Sequence, residues 1–125
     1  LRTRRRAPAV AVHPGTGERV FFNQIPLHHP SCLDPETRSS LESLLGEDEL
    51  PRDVRYGDGT RIDDATVQQI LDAYWRESTA FEWAAGDMVL VDNMLVAHAR
   101  NPFRGERKIS VAMGRMMEAQ NLAAH

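Results

Sequence analysis

The spacing of hydrophobic positions changes along the chain, and each change predicts a different element. Near the start, AVAVH (residues 9–13) and RVFFNQ (residues 19–24) are apolar runs separated by PGTGE. Proline and glycine between two such runs predict a β-hairpin. The segment IPLHHPSCLD reads as a loop. DPETRSSLESLLG reads as a helix, with Asp34 as N-cap, Pro35 at the first helical position and Gly46 closing the C-terminus. In RDVRYGDGTRI a Gly-Asp-Gly turn between short apolar runs predicts a second hairpin.

The clearest period lies in DDATVQQILDAYWRES, where Val67, Ile70, Leu71, Tyr74 and Trp75 fall at i, i+3, i+4, i+7 and i+8. That is one apolar face of a helix, and it places Tyr74 and Trp75 in core packing. Beyond it, FEW, MVLVDN, LVAHA and KISVAM predict successive strands, with a turn at Gly86 and Asp87. Short strands at this spacing are typical of sandwiches and barrels. The opening LRTRRR also alternates as a strand, with Leu1, Thr3 and Arg5 on one face and Arg2, Arg4 and Arg6 on the other. A solvated strand face accounts for this basic run better than a phosphate or nucleic-acid patch. There is no internal repeat, low-complexity segment or interdomain linker.

Composition narrows the class. A chain of 125 residues with 42% hydrophobic and 26% charged residues has the makeup of one ordinary globular domain or part of one. A net charge of -3 and a pI near 5.9 argue against a general nucleic-acid binder. The single cysteine, Cys32, excludes an intrachain disulfide and a cysteine-rich zinc site, and suits a reducing, cytoplasmic setting. No apolar run approaches the roughly 18 to 20 residues that span a bilayer, so no membrane partner is expected.

Candidate chemistry centres on one histidine. His13 stands beside a turn, and His125 is terminal. His28 and His29 are adjacent, so in a strand they point to opposite sides and do not share a metal. His98 alone lies in a strongly patterned segment, DNMLVAHARNPFRGERKISVAM, with Arg100 and Arg107 after it. A lone histidine in an apolar strand is more often a hydrogen-bonded core residue than a ligand. The argument for a site is the pairing, since imidazole suits Fe(II) and a guanidinium recognises a carboxylate bidentately. His98 and Arg107, brought to one end of a barrel by the short loop between them, would hold a metal-chelated 2-oxo acid.

The segment EWAAGDMVLVDNMLVAHARNPFRGERKISVAM resembles the C-terminal signature of the taurine dioxygenase (TauD/TfdA-like) Fe(II)/2-oxoglutarate-dependent oxygenases. That signature runs through Trp83, Gly86, Asp87, Asp92, Asn93, His98, Arg100, Phe103 and Arg107. The opening LRTRRRAPAVAVHPGTGERVFFNQ is similar to the family segment in which a strand leads through His-Pro-x-Thr-Gly-Glu to an aromatic-Asn-Gln strand. The likeness covers residues 1 to about 116 and is closest to the clavaminate-synthase-like and syringomycin-type hydroxylases.

The resemblance implies a mainly β fold with flanking helices, part of a double-stranded β-helix of the jelly-roll, cupin-like kind. It implies His98 as the distal iron ligand and a catalytic residue, Arg107 on the far carboxylate of 2-oxoglutarate, and Arg100 as a second cosubstrate or substrate contact. Asn23 would line the substrate side. The cofactors implied are Fe(II) and 2-oxoglutarate, and the substrate an amino acid, free or tethered to a carrier protein. Two features depart from the pattern. Ala99 replaces the glycine usual after the distal histidine, and no His-x-Asp or His-x-Glu occurs in these 125 residues, so the proximal half of the iron site is absent. The expectation is the C-terminal portion of a single oxygenase domain, completed by an upstream half or another chain and assembled as a homo-oligomer. A non-catalytic module that binds a small acid or a protein, and a structural protein whose histidine only packs, are the alternatives.

Overall fold

The computed structural model describes residues 3–46 and 48–115. The chain divides into two compact units, Gln24–Ala85 and a second formed by Leu1–Asn23 with Gly86–His125.

Gln24–Ala85 is the helical unit. A short helix α1, Ile25–His28, runs into a 3-10 turn, Pro30–Cys32, where the sequence predicts only a loop. Helix α2, Pro35–Leu45, forms where expected: Asp34 accepts the Thr37 amide at 2.9 Å, and the positive φ of Gly46 ends it. Helix α3, Asp64–Glu77, begins at Asp63, which accepts from both the amide and hydroxyl of Thr66. Arg38 on α2 donates to Glu42 one turn on and to Asp64 in the first turn of α3, at 2.8 and 2.7 Å. Between the helices, the predicted second hairpin is a single antiparallel bridge, Arg55 to Arg61, around a turn in which Gly59 takes φ 91°. Arg55 and Arg61 both donate to Asp48.

The apolar face of α3 is graded. Val67 is fully buried, Ile70, Leu71 and Tyr74 are half-buried, and burial pushes the Tyr74 phenol up from its usual range. Trp75 is 70% exposed, which corrects its assignment to the core. The reason is rotational: α3 meets α1 over a narrow stripe, and the i+8 position has turned away from it. Leu50, Ile62 and His29 are the other buried residues among those described in this unit.

In the second unit the first predicted hairpin forms. Strands β1, Ala11–Val12, and β2, Arg19–Val20, pair antiparallel, with Ala11 opposite Val20. Ala11 and Met94 make a small buried core, against which Val20 and Phe22 pack. The predicted strands in FEW, MVLVDN, LVAHA and KISVAM do not appear, since no described residue from 78 to 115 lies in a strand. Residues 3–8 are likewise not a strand. A mainly β architecture is therefore not what the described residues show. Alternation alone does not make a strand, because a strand exists only through the ladder it forms with a neighbour, and an isolated pair is marginal in water without further strands or packing. Leu1, Arg2 and His125 lie outside the described residues.

Candidate functional site

Asn23, His98, Arg100 and Arg107 all belong to the second unit. His98 and Arg100 are exposed, on backbone with no assigned element. After them the loop bends at Gly105, and the Arg107 guanidinium lies 4.9 Å over the Phe103 ring. The aromatic face braces the guanidinium, a group whose N–H donors match a carboxylate. Arg107 is half-buried, and with Glu106 and Lys108 it lines a shallow surface depression. Between residues 100 and 108 four basic side chains stand against one acidic one, which favours an anionic ligand. His98 is not among the residues that line the depression.

Asn23 has a structural part: its Nδ2 donates to the Ala9 carbonyl at 2.9 Å, tying the exit of the hairpin to its entry. Among the described residues no three His, Cys, Asp or Glu side chains lie close enough to hold a metal. His29 engages both ring nitrogens within the helical unit, and His28 bonds the Gln24 carbonyl through Nδ1.

The feature that sequence reading missed is His13. Its Nδ1 faces the amides of Gly15 and Thr16, at 3.3 and 3.0 Å, and its Nε2 lies 3.0 Å from Asp92 Oδ2. Asp92 also accepts the Met94 amide at 3.0 Å. The Met94 bond first, and the His13 bond after it, hold the Asp92 carboxyl below its usual range. Seventy-nine positions separate the two residues, so no local period reports the pairing. The only signal was that both lie in the two segments that carry the family likeness.

Comparison with known proteins bears on the same two segments. Residues 1–113 match the family model for the taurine catabolism dioxygenases, the TauD, TfdA family. The chain is 40% identical over 113 residues to the dapdiamide synthesis protein DdaC of Enterobacter agglomerans, covering 90% of this chain and 34% of that protein. It is 24% identical over 106 residues to a clavaminate synthase-like protein of Arabidopsis thaliana, covering 85% of this chain and 29% of that one. The chain thus spans about a third of the length of the curated relatives it matches. No solved structure matches it significantly.

Proposed function

The chain belongs to the TauD, TfdA dioxygenase family, and from that premise we propose that it forms part of an Fe(II)/2-oxoglutarate-dependent oxygenase that hydroxylates an amino acid or a carrier-tethered aminoacyl group. The observation that carries the reading is the order His98, Arg100, Phe103, Arg107 inside the matched region, with Arg107 held on Phe103 in a basic surface. One relative is named for dapdiamide synthesis, which supports a place in natural-product biosynthesis. A cytoplasmic setting belongs to the same proposal. The support is the single cysteine, together with the lack, among the described residues, of any helix long and apolar enough to cross a membrane.

The residues fit the two cofactors unequally. A 2-oxo acid carries carboxylates, and Arg107, with Lys108 beside it and Arg100 on the preceding stretch, offers guanidinium and ammonium donors for them. Iron does not fit the described residues, because His98 supplies one imidazole where the two-histidine, one-carboxylate site needs three ligands. The remaining ligands are assigned to polypeptide outside these 125 residues. What this chain contributes is one imidazole and the recognition of the cosubstrate. Arg107 fixes the far carboxylate and so orients the molecule, and Asn23 holds the hairpin together beside its suggested place near the substrate.

The basic surface around Arg107 also suits a second reading, a module that binds a small acid without chemistry. Calorimetric titration of 2-oxoglutarate into the full-length protein, with and without Fe(II), separates the two readings. Binding that requires or is strengthened by Fe(II) supports the oxygenase, and binding indifferent to it supports the module. In either case Arg107→Ala should weaken binding by roughly ten- to a hundredfold, the worth of a charge-assisted contact. Unchanged affinity would remove Arg107 from the site.

A further inference from the structure

Four arginines of the helical unit spend their guanidinium groups on carboxylates: Arg38 on Glu42 and Asp64, Arg55 on Asp48 and Asp53, Arg61 on Asp48, and Arg76 on Glu77. Arg107 is held differently. Its guanidinium carbon lies 4.9 Å from the centroid of the Phe103 ring, and among the described residues no carboxylate pairs with it. Even Glu106, beside it in the chain and on the rim of the same depression, does not. From residue 95 to 115 every position is exposed except Arg107, which is half-buried. A cation drawn partly out of water gains from an acidic partner, and the partner that this one suits is an acid from outside the described residues.

The contact with Phe103 does not come from a helix. Residues 103 and 107 stand four apart, the spacing of neighbours on a helix, yet no described residue from 78 to 115 is helical. The turn at Gly105 brings them together, with a φ of 91° that glycine adopts at little cost. A Cβ at this position would meet no atom within 4 Å, so the obstacle to another residue is the backbone conformation alone. An aromatic ring restrains a guanidinium without the charge neutralisation that a carboxylate would bring, so Arg107 keeps its attraction for an acid.

We propose that Phe103 is a positioning residue for the carboxylate site, whose ring, brought over Arg107 by the turn at Gly105, holds the guanidinium in place before the acid arrives. Ordering a long side chain in advance removes part of the entropy that binding otherwise loses. The proposal rests on the reading of Arg107 as the contact for the cosubstrate's carboxylate, and it involves no metal.

The test is an NMR titration of 2-oxoglutarate into the full-length protein in metal-free buffer. Phe103→Leu keeps apolar bulk and removes the ring, and should weaken binding about two- to fivefold, the worth of an exposed cation–π contact. Phe103→Tyr keeps the ring and should bind as the wild type does. Gly105→Ala disfavours the turn and should weaken binding to a similar extent. The Arg107 Nε–H resonance carries the ring current of Phe103, so it should move in Phe103→Leu and hold its place in Phe103→Tyr. Amide resonances of Gln24–Ala85 should not change in any variant, which reports that the protein remains folded. Wild-type affinity in Phe103→Leu or in Gly105→Ala overturns the proposal. So does an equal loss in the leucine and tyrosine variants, or an Arg107 resonance that ignores the loss of the ring. The control is Arg107→Ala. If it binds 2-oxoglutarate as tightly as the wild type, or if the wild type does not bind it, the reading of Arg107 fails and the proposal with it. If Arg107→Ala loses binding while Phe103→Leu keeps it, the role of Phe103 alone is overturned.

Discussion

His29 is 6% exposed and bonds through both ring nitrogens, with Nε2 2.9 Å from the Ile62 carbonyl and Nδ1 2.7 Å from Ser31 Oγ. Because a carbonyl only accepts, Nε2 carries a proton, and both ring nitrogens are satisfied within the helical unit. His29→Phe keeps the ring volume and strands the Ile62 carbonyl, and should cost about 1–3 kcal/mol in a urea titration. A loss well under this range would mean that water replaces the bond. At this scale the sequence was legible where chemistry is local: Asp34 caps the helix it precedes. The partners of His13 and His29 were not legible, since their bonds reach 79 and 33 positions along the chain. His98 and Arg107 were legible only as members of a motif. Nothing in the pattern of the chain alone distinguishes a ligand histidine from one that packs.

The helices form where period and caps agree, and their dependence on the caps has a pH signature. Bonds from Thr37 and Thr66 lower the Asp34 and Asp63 carboxyls below their ordinary value of 3.8. A depressed folded-state pKa contributes stability that is fully present above the unfolded value and is lost as pH falls through the folded one. Helical circular dichroism should therefore hold down to pH 4 and decline below it. Asp34→Asn with Asp63→Asn should flatten that decline, since the amide still caps but does not titrate. An unchanged acid limb would place the transition elsewhere. Along α3, Val67→Ala should cost about 2 kcal/mol for two buried methyl groups, and Trp75→Ala about 0.5 kcal/mol or less. Equal costs would contradict the exposure of Trp75. The strand patterns after residue 78 were read from alternation, and alternation gives the two faces of a strand while saying nothing about what pairs with its edges.

Across the whole molecule, the alternating segment that reads as strands leaves large apolar side chains in water. Met88, Leu90, Val111 and Met113 are 94%, 98%, 78% and 82% exposed. An apolar segment of this kind without ladder partners is a site of association. Residues 1–125 alone should self-associate in size-exclusion chromatography and exchange amides rapidly over 88–113, and a compact, well-protected monomer would contradict this. In the full-length protein the same segment should be protected, with its apolar residues covered by strands from the polypeptide outside this chain. The family, the two hairpin strands and the two long helices were thus legible in 125 residues, whereas the mainly β architecture expected from the sequence is not what the described residues show, since they pair only β1 with β2 and bridge Arg55 to Arg61. The proposed oxygenase role depends on His98 as the chain's contribution to the metal centre. The measurement that tests this most directly is Fe(II)-dependent conversion of 2-oxoglutarate to succinate by the full-length protein and by its His98→Ala variant. The account predicts succinate from the first and none above background from the second, and equal turnover in the two would contradict it.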